Sequence, residues 1–162
     1  MPTEKPITLR INGHEEHATV PPHRTLLETL RELGHVEVKC GCEKGDCGAC
    51  AVLIDDMAVD SCLTLAWTAE GRDITTVKGL GSPDDPHPLQ KAFIDLGAVQ
   101  CGYCSPGLII AAQSMLNENP DPSDEDIRVG LSGNLCRCTG YGKVFDAIRE
   151  AGVVMRAAGD EK

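Results

Sequence analysis

Aromatic side chains are scarce, with one Trp, two Tyr and two Phe in 162 residues, or 3 %. Positive charge is also short: 15 Lys and Arg face 25 Asp and Glu, a formal net charge of −10. So acidic a chain is a poor candidate for holding nucleic acid or an anionic membrane through its overall field. No stretch approaches the ~18 consecutive apolar residues of a membrane span. The start, MPTEKPITLRING, has no apolar run ahead of a small-residue cleavage site. No secretory signal is therefore expected, and the expected compartment is the cytoplasm. With hydrophobic residues at 41 %, a soluble chain of one ordinary domain or two small ones is expected.

Cysteine is what the chain has in excess. Nine thiols, an odd number, with no export signal argue against disulfides and for metal-binding or catalytic thiolates. They form two groups, Cys40 to Cys62 and Cys101 to Cys138, with positions 63–100 free of cysteine. Two groups predict two sites and two domains. In the first, Cys42-x4-Cys47-x2-Cys50 is followed, after eleven intervening residues, by Cys62, the plant-type [2Fe–2S] spacing. A flat diiron cluster needs three thiolates from one wrapping loop and a fourth from elsewhere. The loop CGCEKGDCGAC carries Gly41, Gly45 and Gly48, which permit close backbone approach and aim amide N–H groups at sulfur. A zinc knuckle more often pairs one C-x2-C with another.

The second group, Cys101-x2-Cys104 and Cys136-x1-Cys138, is less diagnostic, because four thiolates also suit Zn²⁺. Beside a plant-type loop, a second iron–sulfur centre is the better reading. Cys40 is left over, since only Cys42 gives the x4 spacing to Cys47, and it reads as a small buried inert thiol. The five histidines are not interleaved with the cysteines, which argues against a His₂Cys₂ centre. Tyr103 and Trp67 read as packing residues. Arg137, between two cysteines, suits either an interface or a role beside the site.

Hydropathy patterning predicts an α+β first half. Ile7, Leu9 and Ile11 alternate with polar residues, Asn12-Gly13 marks a hairpin, and His14 to Val20 returns. Thr25 to Glu28 is a capping box opening a helix that buries Leu26, Leu27, Leu30 and Leu33 and stops at Gly34. Ala51–Ile54, Met57–Cys62 and Asp73–Val77 read as strands, the first two joined by an Asp55-Asp56 turn. Glycines and prolines cluster over 79–88, a linker signal. The second half reads as four helices. The first runs over Leu89–Leu96. The second starts with Ser105 as N-cap and Pro106 at N1. The third opens at Ser123 with acids in its first turn, and the last carries Val144, Ile148, Ala151 and Met155. Two helix N-termini should then converge on the second cysteine group, a hint of pseudo-symmetry. The tail from Ala157 to Lys162 is expected to fray.

The stretches VKCGCEKGDCGACAVLIDD, DSCLTLA, ITTVKGL, VQCGYCSPGLI and SGNLCRCTGYGKVFDAI together resemble one family. It is the small iron–sulfur subunit of molybdenum hydroxylases, which include xanthine dehydrogenase, aldehyde oxidase and carbon monoxide dehydrogenase. The resemblance spans about residues 5–152. Its departures, at Cys40, Ala51, Tyr103 and Ser105, are conservative and miss the ligand positions. It implies a β-grasp, plant-type ferredoxin-like domain over 1–79 and a four-helix [2Fe–2S] domain over 80–162. Cys42, Cys47, Cys50 and Cys62 would hold one cluster, and Cys101, Cys104, Cys136 and Cys138 the other. It further implies a large partner subunit with molybdopterin, which oxidises substrate with water as oxygen source, and a medium partner with FAD. The helical cluster would lie nearer molybdenum and the other nearer flavin. Gln100 and Cys138 become candidate pterin contacts, and no substrate site or catalytic residue is expected on this chain. Two one-electron centres in series let an electron pair leave singly. A heterotrimer or a dimer of heterotrimers is expected. The alternatives are a stand-alone two-cluster ferredoxin and a two-zinc structural protein.

Overall fold

The computed structural model describes residues 3–159; Met1, Pro2 and Asp160 to Lys162 lie outside the described residues. Strands β1 (Lys5–Ile11) and β2 (His14–Val20) form the expected hairpin. Asn12 (φ 51°) takes the left-handed conformation that its tight turn demands. Helix α1 (Leu26–Glu32) opens with the Thr25/Glu28 capping box. Strands β3 (Ala51–Ile54), β4 (Met57–Asp60) and β5 (Asp73–Thr75) complete a sheet of order β2-β1-β5-β3-β4, in which β1 and β5 run parallel. A 3₁₀ turn over Ala66–Ala69 carries Trp67, whose Nε1 donates to the Val20 carbonyl (3.1 Å) while its ring packs on the core.

One core lies between the sheet and α1, built from Ile7, Leu9, Ile11, Leu26, Leu30, Val52, Ile54 and Ile74. The continuous apolar run of β3 has a simple cause. Val52 and Ile54 face this core, whereas Ala51 and Leu53 pack with Ile110 on the opposite side. A strand covered on both faces has no use for alternating polar residues.

Strand β5 stops at Thr75, two residues before the expected end. Thr76 turns away to cap a short helix, α2 (Val77–Leu80), which the sequence reading missed. The second half holds α3 (Pro88–Asp95), α4 (Ser105–Glu118), α5 (Asp124–Gly130) and α6 (Gly142–Gly159) around Phe93, Leu108, Ile127 and Ile148. Ser123 and Asp126 form a capping box on α5, so the acidic run 121–126 starts a helix. Ser105 is not the N-cap of α4. That position is Cys104, Ser105 is the first helical residue, and no side chain caps the end. Pro106 tolerates the one-residue shift, because amides throughout a first turn lack intrahelical partners. Ala157 to Gly159 are helical, not frayed, while Asp160 to Lys162 fall outside the described residues.

Candidate metal centres

The first cysteine group hangs between α1 and β3. Cys42 and Cys47 make a thiol–thiol contact, and so do Cys50 and Cys62. Cys50 and Cys62 are buried at the edge of the sheet core, which anchors that side, while Cys42 and Cys47 lie on the partly open loop. The Cys42 sulfur accepts from the N–H groups of Lys44 and Asp46 (3.4 Å each), which hold its pKa down at about 7. Burial pushes Cys50 up to about 12. A Cβ on Gly41 would sit 2.7 Å from the Cys47 sulfur, so only glycine leaves room there. The loop therefore presents bare amides to sulfur, as an anionic cluster requires.

The second group repeats the pairing on a different frame. Cys101 and Cys138 approach to 3.7 Å, and Cys104 contacts Cys136. Burial pushes Cys104 up to about 12. Burial also acts to raise Cys136, but the Thr139 hydroxyl (3.1 Å) and amide (3.4 Å) donate to its sulfur and bring it down to about 7. The expected convergence of two helix ends is half right. Cys104 sits at the start of α4, but α6 begins only at Gly142, and Thr139 does its work instead. Tyr141, at φ 67°, folds its hydroxyl back to accept from the Cys136 N–H (2.6 Å) and donate to the Asn134 carbonyl (2.8 Å). Thr139 and Tyr141 escaped sequence reasoning. The only signal was their place between the last cysteine and the last helix.

In each group the thiols come as two pairs. Among the described residues, no three His, Cys, Asp or Glu side chains are close enough to share one metal ion. A tetrahedral zinc site would draw all four sulfurs to within ~4 Å of one another, given Zn–S bonds of ~2.3 Å. Two pairs set apart suit a dinuclear cluster, in which each iron takes two thiolates.

The two groups touch through the backbone. The Leu135 N–H, next to Cys136, donates to the Cys47 carbonyl (3.0 Å), and the Asn134 side-chain amide donates to the Gly48 carbonyl (3.3 Å). Gly107 on α4 lies so near Gly48 that a Cβ would fall 2.1 Å from its carbonyl oxygen. Tyr103 is no packing residue. Its ring is half exposed, and its hydroxyl donates to the Cys40 carbonyl (2.6 Å). Cys40 is exposed, not buried, because its sulfur points outward to the Glu43 carboxylate (3.4 Å). Gln100, Cys101, Arg137 and Cys138 are all exposed, with exposed Val99, Tyr103 and Leu135 beside them.

Two family models match. One, a "2Fe-2S iron-sulfur cluster binding domain", covers residues 9–78, and the other, a "[2Fe-2S] binding domain", covers 76–149. The nicotinate dehydrogenase small FeS subunit of Eubacterium barkeri is 47 % identical over 90 % of this chain and 93 % of its own. The structure of quinoline 2-oxidoreductase from Pseudomonas putida 86 contains a chain with TM-score 0.91 and 43 % identity, with 99 % of each chain covered. The aldehyde oxidoreductase of Desulfovibrio gigas matches with TM-score 0.90 and 42 % identity over 95 % of this chain but only 17 % of that one. The same unit thus also occurs fused within a much longer polypeptide. The chain belongs to the family of small iron–sulfur subunits of molybdenum hydroxylases, in which a two-domain [2Fe–2S] chain transfers electrons beside larger partners.

Proposed function

We propose that Cys42 and Cys47 bind one iron of a [2Fe–2S] cluster and Cys50 and Cys62 the other. Cys101 with Cys138, and Cys104 with Cys136, do the same for a second cluster. The boundary between the two units falls in the linker 79–88, giving domains 1–79 and 80–162. A bound [2Fe–2S] cluster takes or gives one electron at a time. The chain's residues hold the two sites in one rigid frame. Amides of 44 and 46 and the Thr139 hydroxyl stabilise thiolate charge, and the Leu135–Cys47 hydrogen bond ties the two loops. That bond is the observation that carries the reading. It joins a residue next to one proposed ligand directly to another ligand in the other set, as a relay requires and two unrelated zinc sites would not.

The relay runs between the molybdopterin of a large partner subunit and the FAD of a medium one. The exposed edge around Gln100, Cys101 and Cys138 faces the molybdopterin subunit, with Gln100 and Cys138 next to the pterin. The whole is a heterotrimer or a dimer of heterotrimers in the cytoplasm. Relatives are named for nicotinate, nicotine, xanthine and aldehyde substrates. The choice of substrate rests with the large partner subunit. Anaerobic purification with the partners tests the reading. The expected result is about four irons per chain and two distinct reduced [2Fe–2S] signals in electron paramagnetic resonance. A chain isolated without partners, or carrying zinc, overturns it.

A further inference from the structure

We propose that Tyr103 is a positioning residue that fixes the spacing of the two cluster-binding loops for electron transfer between them, a proposal that rests on the ligand sets given above. The Tyr103 side chain rises from between Cys101 and Cys104 and reaches across 63 residues of sequence to the Cys40 carbonyl, two residues before Cys42. The contact is short, 2.6 Å, and is made by the hydroxyl. The ring stays 48 % exposed, so packing does not account for its position. The Leu135–Cys47 and Asn134–Gly48 bonds join the loops through the Cys136 side of the helical site. Tyr103 joins them through the Cys101 and Cys104 side. On that side Gly107 of α4 packs against Gly48, and Tyr103 adds the hydrogen bond between the loops.

Electron tunnelling falls steeply with separation, so a bond that sets loop spacing sets rate. Bound clusters would exchange a single electron, the helical site oxidised by one as the ferredoxin-like site is reduced by one. No bond is made or broken, and the Tyr103 proton stays on its oxygen. A phenylalanine keeps the ring and loses only the bond.

The test is Tyr103→Phe in the complete complex with both sites loaded, compared with wild type. Inter-site transfer after rapid one-electron reduction should slow relative to wild type as the separation between the loops loosens. The magnetic coupling between the two reduced clusters, read by low-temperature paramagnetic resonance, should weaken. Hydrogen exchange at amides 40–42 should quicken, while iron content and both signals stay at wild-type values. An unchanged transfer rate and coupling overturn the proposal. Loss of either cluster from the variant overturns it too, because the hydroxyl would then retain metal and not set spacing. A wild-type chain with fewer than two signals removes the ligand assignment itself, a failure visible before the variant is made.

Discussion

The ferredoxin-like half and the helical half hold the same kind of thiol quartet by opposite means. In the first, one loop of nine residues offers Cys42, Cys47 and Cys50, and the rigid partner is the sheet edge, where Cys50 and Cys62 are buried. In the second, two short loops meet from far apart in sequence, and Cys101 and Cys138 remain exposed. Amides of the loop itself stabilise Cys42, whereas a threonine hydroxyl stabilises Cys136. Each site nonetheless contains one thiol held near pKa 7 and one raised to about 12, in different pairs in the first site and in the same pair in the second. A self-contained loop can form its site locally. A site built from two loops exists only when the helices behind them are packed.

The contrast can be broken at several points. The largest effect is expected from Cys104→Ala, which should cut iron from about four to about two per chain and remove one of two paramagnetic signals. Next comes Ile110→Ala. Ile110 is fully buried between α4 and β3, so its loss should cost about 2–5 kcal/mol in thermal or denaturant unfolding. If the two halves were independent, the same substitution would leave the ferredoxin-like transition in place. Tyr141→Phe removes the partner of the Cys136 amide and should cost about 1–3 kcal/mol. Its iron loss should be confined to the helical site.

A smaller effect is expected on acidification. His87 Nδ1 accepts from the Leu89 N–H at the start of α3, and burial holds its pKa below the ordinary histidine value. The neutral form is thus favoured in the folded state. Its contribution is complete above about pH 6.5 and is lost as pH falls through the lower folded value. Protection of the first-turn amides of α3, corrected for the intrinsic pH dependence of exchange, should therefore fall as pH drops below about 6.5, and His87→Asn should flatten that dependence. The smallest effect belongs to Cys40→Ser. The exposed thiol hydrogen-bonds Glu43 and lies outside the proposed ligand sets, so iron content should stay at about four per chain, whereas Cys42→Ser should lose the first cluster.

The hairpin, α1 and its capping box, β3, and the starts of α3 and α5 were legible because each is encoded locally: by alternation, by a turn dipeptide, or by a cap within three residues of its partner. Helix α2 was hidden because four residues carry too little periodicity to stand out from a glycine-rich linker. Cys40 and Tyr103 were misread for a common reason. Composition says which side chains suit a core, but not which way a loop turns them. Thr139 and Tyr141 look like ordinary loop residues until Cys136 is placed beside them.

The cysteine spacing was enough to single out the proposed first thiol set and a two-part organisation, since a loop of nine residues constrains its own thiols whatever surrounds it. The way Cys101 and Cys104 meet Cys136 and Cys138, and the bonds from Leu135 and Tyr103 to the first loop, were decided by packing alone. Thirty-one residues separate Cys104 from Cys136. Only the burial of Phe93, Leu108, Ile127 and Ile148 in one helical core, and of Ile110 against β3, brings those loops face to face.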